Sequence, residues 1–298
     1  MEITEKAFAK LNLSLDVAAR RPDGYHELTM VMASVDLHDD VTVSLRRDGV
    51  ISAESSFSWL PRDDKNHGVK AARAFFDAIG EKGLGADIRM VKRIPVGAGM
   101  AGGSTDAAAV LRALNALTGA KLTADRLREI GLTVGSDVPY CVSGGAALAR
   151  GRGELLSPLP ELPACHIVIC KPAFSVSTAE LFRRIDSHTV RTRPDTSGLT
   201  AALERGDLTG VARRMYNVFE DALPRSSREI PVIRGKLLDS GALGAVMTGT
   251  GSAVFGLYDR RETAEKAHES LSREYKDCFL TRPVPRFPLD NAGESHGG

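Results

Sequence analysis

The chain reads as an α+β protein of two domains, and three features carry that reading. Strand and helix patterns follow one another in mixed order instead of alternating as β-α-β units, which disfavours a doubly wound sheet. A glycine-rich loop at residues 95–106 opens a helix that runs into a second helical pattern, with no strand between them. A stretch with three prolines, G-R-G-E-L-L-S-P-L-P-E-L-P at residues 151–163, marks a domain junction. At 298 residues the chain is long enough for one large or two medium cores.

The elements follow in order. Residues 9–17, A-K-L-N-L-S-L-D-V, alternate strictly, which predicts a strand with Leu11, Leu13, Leu15 and Val17 on one face. Lys10, Asn12, Ser14 and Asp16 share the other face, which is either wet or turned to a cleft. Pro22-Asp23-Gly24 is a turn signal, and Tyr25 and His26 open the next strand. That pair suits stacking on a planar ring, and it suits ordinary packing as well. A meander of short strands is expected through Leu45. A helix is expected over residues 64–76, with Asp63 or Asp64 near its N-cap and Asn66 in its first turn. A half-exposed strand from Ala86 leads into the glycine loop.

That loop, P-V-G-A-G-M-A-G-G-S-T-D, is the densest signal in the chain. Its glycines permit tight turns and close approach to a ligand. Its N–H groups and the helix start beyond it converge on one spot, which suits an anion, most often a phosphate. Gly97-x-Gly99-x-x-Gly102 matches the bare dinucleotide fingerprint, but a buried parallel strand before it and a second strand after the helix are lacking. The outline also approaches a Walker loop, with Gly103 where the lysine belongs and Ser104 after it, so a phosphate-reaching cation must come from elsewhere. A plain helix cap needs fewer than four glycines in seven residues.

Past a helix over residues 123–130, Asp137 stands in an apolar loop between Gly135 and Pro139. Proline there bars a regular helix around Asp137 and biases Val138 towards extended geometry. An acid in such a loop is a candidate for function, or it closes a turn through its own backbone. Beyond the junction, a strand is expected at residues 166–170 and a helix from Ser177 that carries Phe182. Further helices are expected at 199–215, broken near Gly206, and at 230–240. Two strands joined by Gly249-Thr250-Gly251 form a hairpin whose amides are available to a second anion. A helix over 261–273 and a strand over 278–282 complete the pattern, and residues 290–298 read as disordered.

Composition excludes several classes. Hydrophobic residues make up 43% and charged residues 26%, as in ordinary globular proteins. A formal net charge of +1 argues against nucleic acid or an anionic membrane as partner. No apolar run reaches a membrane span and the N-terminus lacks a signal-peptide pattern, so a cytoplasmic setting is expected. The four cysteines form no C-x-x-C pair and the seven histidines no H-E-x-x-H, so no protein-built metal site is expected.

Taken together, these pieces resemble the GHMP kinase superfamily, small-molecule kinases that use ATP without a Walker lysine. Residues 95–105 resemble its P-x-x-x-G-L-G-G-G-S-S loop, residues 135–142 its G-A-D-V-P-x-F block, and residues 247–255 its M-S-G-T-G-S-x-V-F block. The N-terminal strand with R-R-P-D-G-Y-H-E-L is similar to members whose acceptor carries a cytidine diphosphate. Weaker matches are Asn66, Val176-Ser177-Thr178 leading to Phe182, and Asn217 with Glu220. The chain departs from the pattern at Met100-Ala101 for Leu-Gly, Thr105 for Ser, Ser136 for Ala, Tyr140-Cys141 after the block's proline, and Val218 for Asp. If the glycine replaced by Ala101 has positive φ, alanine there is strained by roughly 1–2 kcal/mol.

The resemblance implies a ribosomal-protein-S5-domain-2-like N-terminal domain over residues 1–152 and a ferredoxin-like C-terminal domain over 153–289, with a cleft between them. It implies ATP as co-substrate, Mg²⁺ on the phosphates, and transfer to the 2-hydroxyl of a cytidylylated sugar alcohol in isoprenoid precursor synthesis. Pro95, Val96, Gly97, Ala98, Gly99, Met100, Ala101, Gly102, Gly103, Ser104 and Thr105 would hold the nucleotide's phosphates, and Asn66 its adenine side. Asp137 would accept the hydroxyl proton or orient that hydroxyl. Lys10 would offset charge on the moving phosphoryl group. Cytosine would stack between Tyr25 and Phe182 with His26 on its polar edge, and Asn12 would reach the acceptor's hydroxyls. The partner is then a small molecule, the protein a monomer or homodimer. The rival readings are a GHMP kinase for mevalonate, homoserine or a sugar, and a non-catalytic nucleotide-binding protein of the same fold.

Overall fold

The computed structural model describes residues 1–187 and 190–288. The expected disorder at 290–298 lies outside them. Two long strands, β1 (Glu2–Arg20) and β2 (His26–Arg46), pair antiparallel along their whole lengths. Their turn is set by Asp23, whose Oδ1 accepts the Tyr25 N–H at 3.1 Å, and by Gly24 at φ 86°. The expected meander is thus one 21-residue strand. Its far edge pairs with other strands at both ends, so it never needs to turn.

Next come β3 (Ile51–Ser55), α1 (His67–Ile79), β4 (Gly85–Val91), α2 (Gly102–Thr118), α3 (Ala124–Val134) and α4 (Val138–Ser143). A hairpin of β5 (Ala147–Gly151) and β6 (Leu155–Pro158) follows. The large sheet has the order β3-β4-β2-β1, with β5 also on β2 and β6 on β5. Residue 152, where the first domain was expected to end, is therefore in a hairpin turn whose second arm stays in this sheet.

The second part holds β7 (His166–Lys171), α5 (Thr178–Asp186), α6 (Thr196–Glu204), α7 (Leu208–Arg214), β8 (Tyr216–Asn217), α8 (Glu229–Asp239), β9 (Gly244–Met247), β10 (Val254–Tyr258), α9 (Arg261–Ser272) and β11 (Asp277–Thr281). Four strands form an antiparallel sheet in the order β11-β7-β10-β9. The short β8 instead joins the large sheet, parallel to β1 at Ser14 and Leu15. Among the described residues no helix is long and apolar enough to cross a membrane.

The alternation of β1 does not hold one face. Register shifts between Phe8 and Lys10 and between Asn12 and Ser14 turn the strand over. Leu15 and Val17 join a core with Ala107, Ala108 and Leu111 of α2 and Val69 and Phe75 of α1. Leu11 and Leu13 join another with Val31 and Ala33 of β2, Ile167 and Ile169 of β7, and Phe255 of β10. One strand thereby serves the core under the helices and the core between the two sheets.

Helix starts also differ from expectation. Asn66, not Asp63 or Asp64, caps α1, its Oδ1 accepting from Gly68 N–H at 2.8 Å. Pro139 does not bar a helix after Asp137. It occupies the first turn of α4, where its missing N–H has no intrahelical partner to lose.

Candidate active site

The phosphate-type loop runs from β4 to α2, and the helix begins at Gly102, earlier than the sequence implied, so Gly103 and Ser104 lie in its first turn. It joins no β-α-β unit, since α2 is followed by α3. The dinucleotide reading therefore falls. Ala101 stands at φ 60°, ψ 27°, the left-handed region in which the resemblance placed a glycine.

Close backbone approach and the Thr248 hydroxyl hold the loop against the β9–β10 hairpin. A Cβ on Gly99 would stand 2.1 Å from the Thr248 carbonyl oxygen, a contact no side chain allows. Ala253 N–H donates to the Ala98 carbonyl at 3.2 Å. The fully buried Thr248 Oγ1 donates to the Gly99 carbonyl at 3.3 Å and accepts from Asn12 N–H at 3.0 Å. Lys10 N–H donates to the Met100 carbonyl at 3.3 Å. The loop is thus tied at once to β1 and to the C-terminal hairpin. Asn217, with Nδ2 donating to the Met247 and Gly249 carbonyls, and Glu220, whose Oε1 accepts from Met247 N–H, brace that hairpin from behind.

A buried ion triad missed by sequence reasoning anchors both ends of the loop. Lys92 Nζ lies 2.5 Å from Asp39 Oδ2 and 2.5 Å from Asp106 Oδ2. Asp39 Oδ1 also accepts from Arg93 and Ile94 N–H groups as the chain enters the loop, and Asp106 sits in the helix that leaves it. Burial would lower the Lys92 pKa, but Asp106 and Asp39 outweigh it and leave it raised. Burial pushes Asp106 up to about 7, against the pull of Lys92. The three residues lie far apart in the chain among other polar residues, so nothing local announces a triad.

Beside this loop lies a cleft of about 1000 Å³, at the upper end of the range for single-ligand sites, so it has room for a nucleotide and an acceptor together. Lys10 and Asp137 face each other in it, Nζ to Oδ2 at 3.8 Å. Lys10 is almost wholly buried and its Nζ also donates to Asn12 Oδ1 at 2.6 Å. Asn12 is fully enclosed behind Lys10, and it is not part of the cleft wall. At one end the wall comprises the loop, Leu60, Pro61, Lys65, Asn66 and His67. Asn66 spends its side chain on the cap and on the Pro61 carbonyl. Burial, with Lys70 nearby, holds the His67 pKa down, and its Nδ1 has no partner among the described residues.

At the other end the wall holds Tyr25, His26, Phe182 and Phe219. His26 stacks on Phe182 with ring centroids 4.6 Å apart, and its Nε2 lies 2.7 Å from Asp186 Oδ1. Tyr25 does not share that stack; the Arg152 guanidinium covers its ring at 4.7 Å. Thr178 at the start of α5 bonds Thr250 of the hairpin, which closes this end.

The arrangement sets an acid–lysine pair between an amide-rich loop and an aromatic pocket. The model of the GHMP kinase N-terminal domain matches residues 66–145, and that of the GHMP kinase C-terminal domain residues 199–277. The chain belongs to the GHMP kinases. As a GHMP kinase it is a small-molecule phosphotransferase that uses ATP. It is 42% identical over 289 residues to a 4-diphosphocytidyl-2-C-methyl-D-erythritol kinase from Alkaliphilus metalliredigens, covering 97% of this chain and 99% of that one. A solved structure of 4-(cytidine 5'-diphospho)-2C-methyl-D-erythritol kinase superposes with a TM-score of 0.79 at 34% identity, covering 94% of this chain and 99% of that one. A homoserine kinase structure from Cytophaga hutchinsonii shares the fold, with a TM-score of 0.72 at 23% identity, covering 96% and 95%.

In this GHMP kinase, β1, α4 and the glycine loop bring Lys10, Asp137 and residues 95–105 together, and the start of β2 and α5 bring His26 and Phe182 together. Arg152, Asp186, Asp39 and Lys92 lay in no motif, and the contacts of Thr248 and Asp106 were not signalled by theirs. Each acts through partners distant in sequence.

Proposed function

We propose that this GHMP kinase transfers the γ-phosphoryl group of ATP to the 2-hydroxyl of 4-diphosphocytidyl-2-C-methyl-D-erythritol, a step of isoprenoid precursor synthesis. The observation that carries the reading is the position of Lys10 and Asp137, 3.8 Å apart between the phosphate loop and the Tyr25–His26–Phe182 end of one cleft.

ATP lies with its phosphates on the amides of residues 95–105 and the N-terminus of α2. The acceptor's 2-hydroxyl oxygen bonds to the γ-phosphorus while the bond from that phosphorus to the β–γ bridging oxygen breaks, and ADP leaves. Asp137 takes the hydroxyl proton. Because the transition state is loose, positioning and charge stabilisation do most of the catalysis. The Lys10 ammonium faces both the carboxylate and the incoming phosphoryl group, and Asn12 holds it there. Asp106 Oδ1, buried at the cleft wall without a partner among the described residues, and the Ser104 hydroxyl are oxygen ligands that fit Mg²⁺. Bound there, the ion would neutralise phosphate charge, with phosphate oxygens and water completing its ligands. Among the described residues no group of three or more His, Cys, Asp and Glu could hold a metal ion.

A neutral His26 that donates its Nε2–H to Asp186 presents Nδ1 as an acceptor for the amino group of cytosine. The four cysteines are unpaired and buried, as suits a reducing cytoplasm. ATP consumption with Mg²⁺ against a panel of acceptors tests the assignment: the cytidylylated methylerythritol, methylerythritol phosphate, mevalonate, homoserine and galactose. Turnover confined to the first is expected. Turnover of another member instead would discard the aromatic pocket's role, and silence with ATP bound would discard catalysis.

A further inference from the structure

We propose that Arg152 binds the diphosphate of the acceptor and thereby sets which acceptors the cleft holds. The inference rests on the cytidylylated acceptor argued above and adds a residue to it. Arg152 sits at the tip of the β5–β6 hairpin, half-buried in the cleft wall. Its guanidinium lies 4.7 Å from the Tyr25 ring centroid. Its neighbour Gly153 is so close to the reaction centre that a Cβ there would stand 4.0 Å from Asp137 Oδ1. Arg152 therefore spans the interval between the carboxylate that meets the 2-hydroxyl and the ring at the cytosine end. In the acceptor that interval is the diphosphate, which links the sugar alcohol to cytidine.

Charge points the same way. The cations of the cleft wall are Lys10, Lys65, Lys92 and Arg152. Lys10 is matched by Asp137, and Lys92 by Asp39 and Asp106. Lys65 is at the nucleotide end, beside Asn66. The acids near Arg152 bond to other groups: Asp23, which also feels the Arg152 charge, and Glu27 pair with Arg21, and Glu154 accepts the backbone N–H of Arg152. Among the described residues the Arg152 guanidinium makes no ion pair, so a cation stacked on an aromatic face is left to meet an anion. A planar guanidinium binds phosphate oxygens bidentately, and stacking on Tyr25 holds its plane in place.

The test compares the unmodified enzyme with Arg152→Ala and Arg152→Lys, each checked for an unchanged melting temperature. With the cytidylylated acceptor, Arg152→Ala should raise the acceptor KM about tenfold or more, as loss of a charge-assisted contact does, with kcat and the ATP KM nearly unchanged. Arg152→Lys should recover part of the loss. In calorimetry the unmodified protein should bind cytidine diphosphate more tightly than cytidine, and Arg152→Ala should lose that preference. An unchanged KM together with an unchanged diphosphate preference would overturn the proposal. So would a fall in kcat alone, which would mark a structural effect of the hairpin on Asp137. Failure of the acceptor reading itself shows separately, as absence of turnover of this acceptor by the unmodified enzyme, and takes the proposal with it.

Discussion

Asp137 and Ala101 show how much single residues were legible. Asp137 stood out as an acid among glycine, valine and proline, but its partner Lys10 lies 127 positions earlier and only folding sets them 3.8 Å apart. Asp137→Asn should lower kcat by roughly 10²–10⁴-fold, the range for losing a general base, while calorimetry shows ATP affinity within about twofold of the original. Normal turnover would remove Asp137 as the base. Ala101 carries a left-handed backbone at a cost of roughly 1–2 kcal/mol, partly offset because glycine loses more freedom on folding. Ala101→Gly should therefore raise stability by less than about 1 kcal/mol, read as a small upward shift of the urea midpoint. A lower midpoint would show that the methyl group contributes packing worth more than the strain.

At the scale of elements, the glycine loop was the most legible part of the chain and its supports the least. Glycine density announces close approach, and the structure shows what is approached: the hairpin beyond β9. Gly99→Ala puts a Cβ into the Thr248 carbonyl at φ 76°, so it should destabilise by at least roughly 2 kcal/mol and weaken ATP binding. An unaltered melting temperature would show that the loop has room to move. The ion triad beneath makes a pH prediction. Asp106 has a folded-state pKa of about 7 against an ordinary 3.8. The folded protein thus holds this proton more tightly, and the stability it contributes is complete below pH 3.8 and gone once the pH has risen through about 7. Asp106→Asn should flatten that fall, so the gap in urea midpoint between variant and original should shift in the variant's favour from pH 5 to pH 8. A gap that does not change with pH would mean that Asp106 is ionised across the range.

At the scale of the molecule, β1 belongs to both cores, and the second of them joins apolar residues of the two sheets. An interface of that kind couples the two domains. Urea unfolding followed by the fluorescence of Trp59, the only tryptophan and a residue of the first domain, should coincide with the loss of far-UV ellipticity from both. Two separated transitions would show that the shared core does not bind the domains into one cooperative unit.

By its sequence alone this protein declared its fold class, most of its helices and strands and the glycine-rich loop, because those depend on local periodicity and turn chemistry, whereas Lys10 and Asp137 came together only through the resemblance to GHMP kinases. Tertiary structure decided the rest. The turnover of β1 depends on register shifts against β2, which periodicity within one strand cannot report. The Asp39–Lys92–Asp106 triad, Thr248 between β1 and Gly99, and Arg152 on Tyr25 are meetings of residues far apart in the chain. Their side chains are ordinary surface types until folding removes water from around them. Only then does each charge or hydroxyl depend on the partners that folding brings to it.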